Sequence, residues 1–276
     1  MLLDCAGKVV DLTHPVVMGI LNVTPDSFSD GGCFSDPGRA LEHALRMVEE
    51  GVAVIDVGGE STRPGSAEVS VKEELARVVP VIEHLAARIP VPVSIDTSKP
   101  AVMRAAVEAG AGMINDVYAL RREGAVETAA RLTVPVCLMH MQGEPKSMQQ
   151  QPLYQNVVNE VYDFLRERMA ACMAAGIKRE RMVIDPGFGF GKSLAHNLSL
   201  LKHLDQFSTL EVPLLAGMSR KSMVGAVLDV PLDDRLIGSV TAAVIAAQRG
   251  ASILRVHDVR ETVQALRMVR AVASAM

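Results

Sequence analysis

Met182-Val183-Ile184-Asp185-Pro186-Gly187-Phe188-Gly189-Phe190-Gly191-Lys192 joins a short apolar run to a glycine-rich loop. The run reads as a buried strand stopping at Asp185, because Pro186 cannot donate to a ladder and forces a turn, which leaves the carboxylate at the carboxyl edge of a sheet. The loop fits neither stock nucleotide cradle. A Walker A loop needs glycine at position 186, where the chain has proline, and a dinucleotide fingerprint opening at Gly187 needs glycine where Lys192 stands.

Working outward, the same strand-then-polar-residue unit recurs. Gly51, Gly110 and Gly250 each close a helical pattern, lead into an apolar strand and find a polar residue five positions on: Asp56, Asn115 and Arg255. Val16 to Leu21 ends at Asn22, Val91 to Ile95 at Asp96, Val134 to Met139 at His140, Met182 to Ile184 at Asp185, and Val212 to Met218 at Ser219. Helical spacing fills the intervals at Arg39 to Glu50, Val71 to Arg88, Ala101 to Ala109, Gly124 to Leu132, Val157 to Ala175, Ala195 to Gln206, Asp233 to Arg249 and Val259 to Ala273. Eight continuous apolar strands alternating with helices predict an α/β fold, a single (β/α)8 TIM barrel over residues 1–276. A short strand pair turning at Gly7 precedes it and covers one end. An open doubly wound sheet would rarely place a polar residue at every carboxyl end, whereas in a barrel all eight ends share one mouth.

The composition narrows the partners. The chain has 276 residues, 49% of them apolar, and a formal net charge of −4, with a pI near 6.0; with no basic block, these argue against nucleic acid. Cys5, Cys33, Cys137 and Cys172 lie far apart, which suggests neither a zinc site nor a disulfide framework. No run reaches the length of a membrane span, and the N-terminus lacks a signal-peptide core. A cytoplasmic protein acting on small molecules is expected.

Asp56, Asp96, Asn115 and Asp185 form an acceptor-rich set at the mouth. Each alone could be a turn or cap residue; together they suit a ligand edge of N–H donors, such as an amino-oxo heterocycle. Arg63, in Gly58-Gly59-Glu60-Ser61-Thr62-Arg63-Pro64-Gly65, joins Arg255 and His257 as cationic donors matched to phosphate or pyrophosphate, the alternative being surface pairing with Glu60 or Asp258. His140, alone in an apolar stretch, reads as structural. Lys221, in Gly217-Met218-Ser219-Arg220-Lys221-Ser222-Met223, lies in a polar loop rather than within a strand, so it reads as a hydrogen-bonding or stacking lysine more than as a Schiff base. Ser222, entering a short helix, is a candidate for holding a carboxylate. Without further information these residues describe a generic phosphate-binding barrel.

Met18-Gly19-Ile20-Leu21-Asn22-Val23-Thr24-Pro25-Asp26-Ser27-Phe28-Ser29-Asp30-Gly31-Gly32 and Asp56 to Gly65 resemble the dihydropteroate synthase family. So do Asp96-Thr97-Ser98-Lys99-Pro100, Ile114-Asn115-Asp116, Asp185 to Lys192, Ser219 to Ser222 and Arg255-Val256-His257-Asp258, in the family's order over nearly the whole chain. The resemblance implies a Mg²⁺-dependent transferase joining 6-hydroxymethyl-7,8-dihydropterin pyrophosphate to 4-aminobenzoate. It implies Asp96, Asn115 and Asp185 on the pterin's N–H edge, Lys221 on its oxo side and Gly217 among the substrate contacts. Asn22 is implied as the metal and pyrophosphate contact, and Arg63, Arg255 and His257 as contacts of the leaving pyrophosphate. Thr62, Pro64, Phe190 and Ser222 would frame the arylamine, and a homodimer is implied. Arg63, Asp96, Lys221, Arg255 and His257 are the expected catalytic group. The alternatives are a pterin-dependent methyltransferase domain and a non-catalytic pterin-binding relative, yet neither would need to keep Asn22, Arg63, Lys221 and Arg255 together.

Overall fold

The computed structural model describes residues 1–24, 37–61, 69–143, 148 and 152–275. A hairpin of β1 (Leu2–Cys5) and β2 (Lys8–Asp11) leads into β3 (Val16–Asn22), after which strands and helices alternate. The strands are β4 (Val54–Gly58), β5 (Val93–Asp96), β6 (Met113–Asp116), β7 (Val136–Met139), β8 (Met182–Asp185), β9 (Leu215–Ala216) and β10 (Ile253–Val256). The helices are α1 (Pro37–Glu50), α2 (Val71–Ala86), α3 (Pro100–Glu108), α4 (Ala125–Leu132), α5 (Val157–Ala174), α6 (Leu194–Lys202), α7 (Ser222–Leu228), α8 (Leu236–Gln248) and α9 (Val259–Ala273). Strands β3 to β10 form one parallel sheet in the order β8-β7-β6-β5-β4-β3-β10-β9, and a bridge between Ile184 and Leu214 brings the two edges together. This is the expected (β/α)8 barrel.

The glycine register has a common geometry. Gly51, Gly110 and Gly250 all have positive φ, and the residue after each, Val52, Ala111 or Ala251, donates to the carbonyl five positions back. That is a Schellman ending, which satisfies the last helical carbonyls and turns the chain into the next strand. One seam departs from expectation. Val212 to Met218 yields only a two-residue strand, because Pro213 accepts from Ile184 N–H at 3.0 Å but has no N–H to return. Helix α8 likewise begins at Leu236 instead of Asp233, where a separate 3-10 turn spans Leu232–Asp234.

Strand alternation divides each strand between two cores. Val17, Ile55, Val93, Ile114, Val136, Met182 and Leu254 pack outward among the helices. Met18, Val54, Met113, Cys137, Val183, Leu215 and Ile253 pack with Leu3, Cys5, Val10 and Leu12 of the hairpin. The hairpin therefore plugs the amino end of the barrel, and the next inward positions along the strands carry the polar residues toward the other end. Among the described residues no helix is long and apolar enough to cross a membrane.

Candidate active site

The inward face of the strands climbs from an apolar floor to a polar rim. On β4 it runs Val54, Asp56, Gly58; on β5, Ser94 then Asp96; on β6, Met113 then Asn115; on β8, Val183 then Asp185; on β10, Ile253 then Arg255. Asn115 is 4% exposed, Asp185 6% and Asp96 9%. Gly217, just past β9, is buried against Arg255. Asn22 ends β3 half-buried, and His257 and Ser222 are exposed at the rim. Thr62, Arg63 and Pro64 lie outside the described residues.

Asp56 departs from expectation. Strand β4 extends two residues past it to Gly58, so Asp56 lies inside the barrel with no exposure and serves neighbouring side chains instead of a ligand. Its Oδ2 accepts from Asn115 Nδ2 at 2.9 Å and from Arg255 Nε at 2.7 Å, while Arg255 Nη2 donates to Asp96 Oδ2 at 2.8 Å. Burial works against the Arg255 charge, but Asp56 and Asp96 outweigh it and hold the guanidinium protonated. With its NH2 spent on Asp56, Asn115 is oriented with Oδ1 as the atom left for a partner. Asp96 keeps Oδ1 in the same way. Burial pushes its carboxyl up to about 7, with Arg255 pulling the other way. Removing one member of such a buried pair costs about 3–5 kcal/mol, so the network is also a strut across the barrel.

The loop after β8 is organised by Lys192, which is 3% exposed. Its Nζ donates to the carbonyls of Gly187 and Phe190, each at 2.9 Å, and meets His140 Nδ1 at 2.9 Å. Gly187 has φ +71, and a Cβ there would collide with the His140 carbonyl, so only glycine fits this bend. Burial and then Lys192 push His140 down to about 2, leaving a neutral imidazole that accepts from the lysine. His140 is thus structural, as expected, and Lys192 answers a loop-folding need rather than a phosphate-binding one. Asp185 Oδ1 accepts the Gly187 N–H at 2.7 Å, which leaves Oδ2 toward the mouth. Its carboxyl is raised by burial, with Lys221 opposing.

Lys221 comes to the same loop from the other side of the barrel seam. Its Nζ donates to Phe188 O at 2.5 Å and sits 4.6 Å from the centre of the Phe190 ring, an arrangement in which carbonyl and π-face both favour the cation. Burial pushes Lys221 down to about 8, with Asp185 attracting and Arg255 repelling its charge. Ser219 Oγ meets His257 Nδ1 at 3.0 Å and accepts its backbone N–H at 3.2 Å, tying the seventh and eighth strand ends together.

Three acceptor oxygens, a lysine and an arginine thus meet above a dry floor, which suits a planar ligand with donors on one edge and an oxo group beside them. An apolar group of Val117, Met139, Met141, Met148 and Phe190 borders them. Sequence reading did not single out Val117 and Met139. Met139 pairs in register with Asp185, and that inward parity was the available signal.

The family described as "Pterin binding enzyme" matches residues 18–257. The chain is 56% identical over 275 residues, 100% of itself and 98% of the relative, to the dihydropteroate synthase of Escherichia coli K12. It is 53% identical over 269 residues, 98% of each chain, to that of Haemophilus influenzae. Among solved structures it resembles Yersinia pestis dihydropteroate synthase with a sulfonamide drug, at TM-score 0.96 and 56% identity over all of both chains. Xanthomonas albilineans dihydropteroate synthase with 4-aminobenzoic acid gives TM-score 0.95 and 55% identity over 100% of this chain and 99% of the other. The same enzyme with 7,8-dihydropteroate gives 0.92 and 52% over all of both chains.

Proposed function

The chain belongs to the dihydropteroate synthases among the pterin-binding enzymes, and from that premise we propose how its barrel mouth performs their reaction. It is a transferase that condenses 6-hydroxymethyl-7,8-dihydropterin pyrophosphate with 4-aminobenzoate to give 7,8-dihydropteroate and pyrophosphate. The observation that carries the reading is the set of spare oxygens on Asp96, Asn115 and Asp185, fixed by Asp56, Arg255 and Gly187 and joined by Lys221.

In the proposed pocket those oxygens accept from the pterin's amino and ring N–H groups, and Lys221 donates to its oxo group. Gly217 and Phe190 line the planar slot. Arg255 has Nη1 left over from its two carboxylate pairs and directs it to the pyrophosphate with Arg63 and His257. Thr62, Pro64 and Phe190 frame the arylamine, and the Ser222 hydroxyl meets its carboxylate. The carbon–oxygen bond at the pterin methylene breaks first, its electron pair leaving with pyrophosphate. The resulting cation is delocalised into the ring between Asp96 and Asp185 and is attacked by the arylamine nitrogen, which then loses a proton to water. Cationic donors act where the leaving charge develops. The arylamine is neutral near pH 7, so the step needs no strong base, consistent with a His140 imidazole occupied by Lys192.

The donor chemistry suits Mg²⁺. A Cβ at Gly58 would lie 3.6 Å from Asn22 Oδ1 and 3.9 Å from Asp96 Oδ2, so the missing side chain leaves a small oxygen-lined gap. The described residues hold no cluster of three metal-ligating side chains, and Mg²⁺ typically takes one or two protein oxygens, with water and phosphate oxygens completing its shell. Asn22 would hold it, and when bound it neutralises pyrophosphate charge.

We also propose a homodimer through the α7–α9 face, where Val227, Leu228, Leu232, Ile237, Met268 and Val272 are exposed. A self-complementary apolar face is what a two-fold dimer buries. The cytoplasm, whose reducing conditions suit the buried thiols of Cys5, Cys137 and Cys172, is the proposed compartment.

The test is pyrophosphate release with Mg²⁺ and the pterin pyrophosphate, with and without 4-aminobenzoate. Asp96→Asn and Lys221→Ala should each lower kcat/KM by roughly ten- to a hundredfold, the worth of one charged hydrogen bond at ~1.5–3 kcal/mol. Pterin binding without release would make the chain a binding protein. Strict dependence of carbon–oxygen cleavage on the arylamine, with an isotope effect for tight nucleophile involvement, would overturn the cation-first order.

A further inference from the structure

Arg220 holds a left-handed backbone at φ +57, a region that side chains other than Asn and Asp seldom enter. It stands directly before Lys221 and Ser222, so its conformation sets how both leave the strand end. Helix α8 grips it on both sides. The Arg220 N–H donates to Ser239 Oγ at 2.9 Å, and the Arg220 carbonyl accepts from Arg235 Nη1 at 2.9 Å. Ser239 Oγ in turn donates to Arg235 O at 2.6 Å, which fixes its orientation toward the loop. The Arg220 guanidinium is paired with Asp258 through both Nε and Nη2.

The path of Arg235 is specific. A Cβ on Gly225 of α7 would collide with its guanidinium, and its Nε is buried with no hydrogen-bond partner among the described residues. Leaving a buried donor unpaired is unfavourable, so stability of the helix pair does not account for this placement. We propose that Arg235 and Ser239 are positioning residues that hold Arg220 left-handed and thereby aim Ser222 at the arylamine. Lys221 depends on them less, because the Phe188 carbonyl and the Phe190 ring hold it independently. The proposal rests on the synthase reading given above.

The test is steady-state pyrophosphate release by Ser239→Ala and Arg235→Met, each alone and combined with Arg220→Gly. Each single change should raise KM for 4-aminobenzoate about three- to tenfold, the loss of one ordinary hydrogen bond, with KM for the pterin pyrophosphate and the melting temperature near the parent. In the Arg220→Gly background the same changes should raise KM less than about twofold, because glycine takes the left-handed conformation unaided. Equal penalties in the two backgrounds, or an unchanged KM, would overturn the proposal while leaving the synthase reading intact. Should Arg235→Met not fold, Gly225→Ala, which displaces the same guanidinium, serves in its place. An inactive parent protein would remove the synthase reading, and the clamp with it.

Discussion

Asp56 binds nothing from outside, yet it decides what its neighbours offer: by taking the Asn115 NH2 and the Arg255 Nε on one oxygen it turns an ambiguous amide into an acceptor. The same burial that makes this network rigid brings the site's titrations close together. Asp96 is raised to about 7 and Lys221 lowered to about 8. A pterin edge of N–H donors needs the ionised Asp96, so affinity is fully present above about 7 and falls by roughly tenfold per unit as pH drops through it. On the alkaline side affinity falls as Lys221 loses its proton above about 8. Calorimetric titration of the pterin pyrophosphate should therefore give a narrow optimum between the two values. A flat profile across that interval would show that neither group meets the pterin. From sequence, Asp56 and Asp96 look alike, both polar residues after apolar runs. They differ only because β4 continues to Gly58, a reach set by pairing of Asn22 with Gly58 and of Gly58 with Asp96.

Among the elements, the hairpin β1–β2 shows how the two ends of the barrel divide their work. Leu3 and Cys5 pack on Met18, Val54 and Met113, and Lys8 Nζ donates to the carbonyls of Ala86, Ile89 and Val91 around the end of α2. Gly112 lies so close beneath that a Cβ would strike the Cys5 carbonyl. Leu3→Ala should cost about 2–5 kcal/mol in denaturant unfolding, with kcat below the new melting temperature unchanged, because the polar rim is at the opposite end. A matching fall in kcat would show that the floor and the mouth are mechanically joined. Most elements were legible because period-two and period-3.6 patterns report burial directly. Their ends were less so. The short β9 follows from Pro213, and the late start of α8 from a separate turn at Leu232–Asp234, neither of which alters the apolar pattern.

At the scale of the whole molecule, the exposed apolar residues gather on the last three helices, with Ile237 77% and Val272 70% exposed. Helix α8 carries both this face and the Arg235–Ser239 grip on the mouth. Ile237→Glu should convert the dimer to monomer in light scattering at micromolar concentration, since a charge centred in an apolar patch opposes its burial; a mass unchanged from a dimer would place the interface elsewhere. The sequence by itself determined the barrel, the order of its strands and the kinds of residue at its mouth. Alternation, glycine endings and a polar residue after each apolar run are local, and eight parallel strands in series bring their carboxyl ends to one rim. Only the tertiary structure decided which carboxylates face a ligand and which face Arg255, that Lys192 folds a loop, and that Arg220 is held from a helix 15 or more residues away. Those outcomes depend on register between strands and on side chains meeting across the barrel, where spacing along the chain carries no information.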